Sequence, residues 1–131
     1  SKDNPVYYIQ YAHARICSVL RKLAESGEQP PDAEDPVTYA AQLTEAQEKD
    51  LCAQLARYPA LLGVAATALE PHQVTSYLKD LASAFHSYYN GHKVLADDPL
   101  LRRCRVRLSM AIRQVLANGL RLLGVSTPES M

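Results

Sequence analysis

The sequence predicts an all-α fold in which four to five helices pack into one bundle. Three observations support this: the chain has only five glycines among 131 residues, long stretches contain neither glycine nor proline, and apolar side chains recur at helical spacing. Hydrophobic residues make up 47% of the chain, which is long enough to bury one core. We therefore expect residues 1–131 to form a single domain.

The first predicted helix begins at Asn4 and Pro5, because asparagine is a good N-cap and proline suits the first helical position. Gly27 is typical of the residue that follows a helix end. Between them, apolar residues recur with a helical period at Ile9, Ile16, Val19, Leu20 and Leu23. The acidic, proline-rich residues 28–36 then predict an exposed loop.

The middle of the chain predicts two shorter helices. Thr44 and Gln47 have the spacing of a capping box, so the next helix is expected to begin there. Pro59 breaks or kinks it, and a short helix follows as far as Leu69.

Two longer helices complete the prediction. One begins at Pro71 and ends near Asn90, with one apolar face made by Val74, Leu78, Leu81, Phe85 and Tyr88. The other runs from Pro99 to about Leu123 and ends before Gly124. Residues 125–131 show no periodicity and are expected to form a short tail.

The formal net charge of zero hides an asymmetry along the chain. Residues 25–50 hold eight acidic side chains against one lysine, whereas residues 99–128 hold six arginines and no carboxylate side chain. Some of these arginines are expected to be ordinary solvated charge, pairing with the acidic segment at well under about 1 kcal/mol each. The neutral average therefore does not exclude a local basic surface that binds a polyanion.

The sequence argues against a catalytic or metal site. It has no glycine-rich phosphate-binding motif and no histidine spacing typical of metal ligands. Its cysteines and histidines formally permit a nucleophilic pair, but no motif locates one. Three widely spaced cysteines, no signal peptide and no long apolar run predict a cytoplasmic protein without a membrane partner. The first residue, Ser1, suggests a piece excised from a longer protein.

An aromatic and basic cluster lies on one flank of the first helix. Tyr8, Tyr11 and Arg15 fall within roughly 60° on a helical wheel, beside the apolar arc, and Lys22 joins them. Such rings and a guanidinium offer a stacking platform and a phosphate contact for RNA. The alternative is that the tyrosines bury their rings at the core edge and keep their hydroxyl groups in water.

A second cluster lies near the end of the predicted 71–90 helix. His86, Tyr89 and Asn90 project to a face next to the apolar one, where a ring could stack on a base and the amide could bind its edge. Alternatively, Asn90 is simply the C-cap of the helix.

Together these segments resemble a known family. The segments 4–15, 85–90, 113–125 and 128–131 (NPVYYIQYAHAR, FHSYYN, RQVLANGLRLLGV and PESM) are similar to the C-terminal region of arginyl-tRNA synthetases, the helical anticodon-binding or DALR domain of that class I family. The resemblance covers essentially the whole chain. It implies binding to the anticodon stem-loop of tRNA(Arg), without a cofactor in this chain, and not to DNA.

The resemblance also implies what lies outside the chain and which residues bind. An upstream Rossmann catalytic domain would use ATP and Mg²⁺ to join arginine to the tRNA, and would be a second partner. The expected RNA-binding residues are Tyr8, Tyr11, Arg15, His86, Tyr89, Asn90, Arg113 and Met131. Two other functions stay open: the anticodon-binding domain of another class I synthetase, such as that for cysteine, and a helical protein-interaction bundle.

Overall fold

A computed structural model describes the backbone of residues 4–68 and 71–131 and the side chains of residues 4–63 and 71–131. These residues form helices and no strand, which confirms the all-α fold. The helices are α1 (Pro5–Glu25), α2 (Pro36–Gln42), α3 (Ala46–Ala56), α4 (Tyr58–Ala68), α5 (Pro71–Gly91) and α6 (Pro99–Leu122). In this part of the chain no helix has both the length and the apolar character that a bilayer crossing requires.

The ends of the two helices that frame the bundle follow the predicted capping chemistry. The Asn4 side chain accepts a backbone hydrogen bond at 2.9 Å in the first turn of α1, and Asp98 does the same for α6. Gly27 and Gly124 follow the last residues of these helices with φ angles of 91° and 73°. This left-handed conformation favours glycine, so the predicted ends are confirmed.

The shorter helices differ in detail from the prediction. Helix α2 occupies a segment to which the sequence assigned no element, and Asp35 caps it by accepting from the Thr38 N–H at 2.9 Å. Helix α3 is capped at Glu45 rather than Thr44, because the Glu48 carboxylate accepts from the Glu45 N–H at 3.1 Å. The short helix predicted after Pro59 corresponds to α4, and its predicted end at Leu69 lies outside the described residues.

The core forms where α1 packs against both α5 and α6. Its fully buried large side chains include Ile9 and Ile16 of α1, Phe85 and Tyr88 of α5, and Ile112 of α6. The predicted apolar faces of these helices therefore meet one another. The opposite flank of α1 is left beside the C-terminal segment 125–131, and this arrangement positions the candidate site.

A buried ion pair joins three helices and corrects one expectation. The Glu48 carboxylate of α3 is fully buried and accepts from Arg105 Nε of α6 at 2.8 Å and from the Tyr88 hydroxyl of α5 at 2.5 Å. Arg105 also donates to the Lys93 carbonyl at 3.0 Å. Pairing between the arginines and the acidic segment is thus confirmed, but for Arg105 the expectation of a weak, solvated pair is wrong.

Candidate functional site

An open groove between α1, α5 and the C-terminal segment brings several predicted residues together. We call it the tyrosine groove; it has a volume of about 270 Å³ and is lined by Tyr11, Ala14, Arg15, Ser18, Arg21, Tyr89, Ser130 and Met131. Four of the eight predicted RNA-binding residues are in this lining. They come from three separate parts of the sequence, which only the fold brings into contact.

The Arg15 guanidinium contacts both tyrosine rings of this groove. Its carbon atom is 4.3 Å from the centre of the Tyr89 ring and 4.9 Å from that of Tyr11, distances typical of cation–π contacts. Arg15 Nη2 donates to the Tyr11 hydroxyl at 3.2 Å, and Nη1 contacts His86 Nδ1 at 2.9 Å. Two rings and a planar cation therefore share one surface.

These rings are accessible from solvent. Tyr11 is 36% exposed, and Arg15 and Tyr89 are half-buried. Tyr89 also packs against the core, so one side of its ring is supported while the groove remains open. The alternative expectation, rings sealed into the core edge with only their hydroxyl groups in water, does not describe Tyr11.

His86 does not line the groove, contrary to its expected place on an open face. Its side chain is 7% exposed and lies behind Arg15, with its ring centre 4.7 Å from that of Tyr8 and 5.2 Å from that of Tyr11. The helix turns it toward α1, whereas its neighbour Tyr89 faces the groove. His86 therefore supports the groove from within and is not placed to contact RNA.

The surroundings of His86 favour its neutral form. Burial lowers its pKa from 6.5, Arg15 lowers it further, and the Tyr8 backbone offsets part of the shift. Because Arg15 must donate to Nδ1, the ring proton of neutral His86 lies on Nε2. This buried atom makes no hydrogen bond of ordinary geometry in the described structure.

The other three predicted residues lie outside the groove lining. Tyr8 is half-buried and packs against the core and His86. Asn90 is exposed inside the last turn of α5, which continues to Gly91, so it is not placed as a C-cap. Arg113 lines a different groove, described below.

The C-terminal segment is held along α1 rather than extending as a loose tail. Three side chains of α1 donate to its backbone carbonyls: Gln10 to Ser126 at 3.0 Å, His13 to Pro128 at 2.9 Å and Arg21 to Glu129 at 2.9 Å. These contacts place Met131, which is 53% exposed, at the tyrosine groove. The sequence analysis missed Gln10, His13 and Arg21; their signal was a row of donors on one face of α1.

A second groove of about 490 Å³ lies on the other side of this segment, between α1 and α6. We call it the arginine groove, because Arg107, Arg113 and Arg121 line it together with Glu129. Thr127 and Glu129 face this groove, while Ser130 and Met131 face the tyrosine groove. The C-terminal segment therefore separates a groove with aromatic rings from a basic one.

No group of three or more potential metal ligands is found in the part of the chain that the structure describes. His13 Nδ1 lies 3.8 Å from the buried Cys17 sulfur, but the same nitrogen is 2.9 Å from the Pro128 carbonyl and must donate its proton there. It cannot then accept a proton from the thiol. All three cysteines are unpaired.

Comparisons with known proteins agree on one family. The family model described as the DALR anticodon binding domain matches residues 9–131. Arginine–tRNA ligases of Acinetobacter baumannii and Thioalkalivibrio sulfidiphilus are 54% and 51% identical to this chain over its whole length, which is 22% of theirs. The structure of Thermus thermophilus arginyl-tRNA synthetase superposes with a TM-score of 0.82 at 32% identity, covering all of this chain and 22% of that one.

Proposed function

The chain belongs to the DALR anticodon-binding domain family, and on this premise we propose that it recognises the anticodon stem-loop of tRNA(Arg) as part of an arginine–tRNA ligase. Attachment of arginine, with ATP and Mg²⁺, would take place in a catalytic domain outside this chain. That upstream domain would be a second partner, and the cytoplasm is the location that such an enzyme implies.

One observation carries the proposal: Arg15 is held between Tyr11 and Tyr89 on an open groove. Proteins that read single-stranded RNA stack its unpaired bases on aromatic rings and on guanidinium planes, at about 1–3 kcal/mol per base. The groove offers both kinds of stacking surface, tyrosine rings and a guanidinium plane, in direct contact with each other. Anticodon bases would leave their own stack and lie on the exposed Tyr11 ring and on the Arg15 guanidinium, with Met131 covering one side.

The arrangement also suggests how edges of the bases are read. Arg15 has nitrogen donors beside the rings, Ser18 and Ser130 add hydroxyl groups to the lining, and Asn90 is exposed at the adjacent end of α5. These groups donate to and accept from base edges once the bases are splayed out. Tyr8 and His86 take part indirectly: Tyr8 packs against His86, and His86 contacts Tyr11 and Arg15.

The test is the affinity of the 131-residue chain for an anticodon stem-loop hairpin from tRNA(Arg). We expect Tyr11→Ala to weaken binding by about 1–3 kcal/mol, since a stacking surface is lost, whereas Tyr11→Phe keeps the ring and most of the affinity. Tyr11→Phe is the matched control, because it keeps the stacking surface that Tyr11→Ala removes at the same position. Wild-type affinity in Tyr11→Ala contradicts the proposal.

A second comparison tests whether the chain recognises tRNA(Arg) rather than the tRNA of another class I synthetase. The wild-type chain should bind the tRNA(Arg) hairpin more tightly than the corresponding hairpin from tRNA(Cys) under the same salt conditions. Equal binding to both would leave anticodon-loop binding intact but contradict the arginine assignment. A helical protein-interaction bundle predicts no measurable binding to either hairpin at low salt.

A further inference from the structure

The arginines of α6 fall into two sets with different surroundings. The set in its first two turns is neutralised by the acidic segment of the chain. Its pairs are Arg102–Glu28 at 2.8 Å, Arg103–Glu34 at 3.7 Å and Arg105–Glu48 at 2.8 Å. In each of these pairs the charge of the arginine is balanced by a carboxylate of the same chain.

The second set, Arg107, Arg113 and Arg121, lines the arginine groove. Arg107 donates to the Pro31 carbonyl at 3.1 Å, but a neutral acceptor leaves its charge uncompensated. Glu129 supplies the carboxylate in the described lining. The fold thus concentrates the unpaired positive charge of α6 in one groove, which a formal net charge of zero conceals.

The chemistry of this lining differs from that of the tyrosine groove. Its described residues include three guanidinium groups but no tyrosine or phenylalanine, and its imidazole, that of His13, is buried. Guanidinium groups bind phosphate oxygens well, through charge-assisted and often bidentate hydrogen bonds. Contacts of this kind position a nucleic acid without reading its sequence.

We propose that the arginine groove binds the phosphodiester backbone of the stem of the same RNA hairpin whose loop lies in the tyrosine groove. This inference rests on the proposed function and adds a second, sequence-independent contact to it. The C-terminal segment runs between the two grooves, so an RNA bound in both would pass over it. Recognition of bases and attraction of phosphates are then separated onto opposite sides of one peptide segment.

The experiment compares Arg113→Gln/Arg121→Gln with wild type in binding to the tRNA(Arg) hairpin and to the same stem with a scrambled loop. Each lost phosphate contact should reduce the slope of log affinity against log salt by about 0.7–0.9, so the double variant should lose about 1.5. Both hairpins should be weakened by the same factor, because the preference for the cognate loop belongs to the other groove. Arg102→Gln/Arg103→Gln is the matched control: it removes the same two charges from the same helix, but from paired arginines, and should keep the wild-type slope.

Thermal melting of each variant separates lost contacts from lost folding, and Arg121→Gln alone serves if the double variant is unstable, since Arg121 is exposed. A double variant that folds and keeps the wild-type salt slope overturns this inference. Different results contradict the proposed function: a wild-type chain that binds the tRNA(Arg) hairpin no more tightly than the scrambled-loop hairpin, or a Tyr11→Ala variant that binds with full affinity. The two results are therefore distinguishable within one set of titrations.

Discussion

Arg15 contacts two tyrosine rings and one histidine, and these contacts set its orientation before any ligand arrives. Its donors are shared between Tyr11 and His86, and its plane lies near the Tyr89 ring. A lysine could not replace it, because an ammonium group has neither the planar surface nor the forked donors. A side chain that is already ordered loses less entropy on binding, which suits a site built to receive a mobile loop.

The buried His86 gives this region a predictable response to acid. Burial first, and Arg15 second, lower its pKa below 6.5, so the folded chain resists a proton that the unfolded chain accepts. The free energy of unfolding should therefore fall as pH drops below about 6.5 and through the folded-state pKa. In His86→Asn, whose amide oxygen can replace Nδ1 as acceptor, this part of the pH dependence should disappear.

Urea titrations of both proteins at about pH 7.5 and about pH 5.5 test this expectation. His13, His72 and His92 are present in both chains, so the difference between the two pH dependences isolates His86. Equal losses of stability on acidification would show that His86 is not held in its neutral form.

Some features of the candidate site could be predicted from the sequence, and others could not. Tyr11, Arg15, Tyr89 and Met131 are found by residue type and by resemblance, because stacking and basic groups are visible in the sequence. The burial of His86 could not be predicted in this way, since it depends on how closely α5 approaches α1. Arg113 has the expected chemistry, but its separation from the tyrosine groove depends on the course of the C-terminal segment.

At the scale of whole helices, the contact between α5 and α6 depends on one glycine. A Cβ atom built at Gly119 would lie 2.3 Å from a terminal carbon of Leu78 and 2.9 Å from its branching carbon. Leu78 is fully buried and cannot swing away into solvent. We expect Gly119→Ala to lower the free energy of unfolding by about 1–3 kcal/mol, the usual cost of an overpacked core.

Gly63→Ala is the matched control for this substitution. Gly63 also lies within a helix, but a Cβ there would meet no atom of the described side chains and backbone within 4 Å, and alanine is favoured over glycine in a helix by about 0.5–1 kcal/mol. Chemical denaturation should therefore show opposite effects for the two variants. A Gly119→Ala variant as stable as wild type would mean that the helices separate at little cost.

The helices were predictable to the extent that their signals are local. Asn4, Gly27 and Gly124 act within one turn of their own positions, so the sequence places the ends of α1 and α6 correctly. The C-terminal segment was expected to be a short tail because its stabilising contacts are distant; His13 and Pro128 are 115 residues apart. Helix α2 was missed because its seven residues contain no buried side chain to create a period.

At the scale of the whole molecule, the acidic segment and α6 neutralise each other across the fold. Residues 25–50 hold eight acidic side chains, and three of them, Glu28, Glu34 and Glu48, each pair with an arginine. This leaves fewer carboxylates for an outside partner, which weakens the protein-interaction alternative. It also removes negative charge that would otherwise repel an RNA.

The pairs differ in what they contribute, and burial decides the difference. Glu48 is fully buried and binds both Arg105 and Tyr88; burial and this carboxylate raise the pKa of Tyr88 well above its ordinary value, so its hydroxyl remains a donor. Arg105→Met would leave the carboxylate buried without its cation. We expect a loss of about 3–5 kcal/mol in the free energy of unfolding, the usual cost of breaking one side of a buried pair.

Arg103→Met makes the same chemical change two residues earlier in the same helix. Its partner Glu34 is 3.7 Å away and both side chains are partly exposed, so the expected loss is under about 1 kcal/mol. Adding Glu48→Gln to Arg105→Met should restore part of the stability, because a neutral amide costs less to bury than an unpaired carboxylate. Urea unfolding of the two single variants tests this difference. Similar losses of stability would mean that water or another cation reaches Glu48. The acidic segment would then not join α3, α5 and α6 through this ion pair.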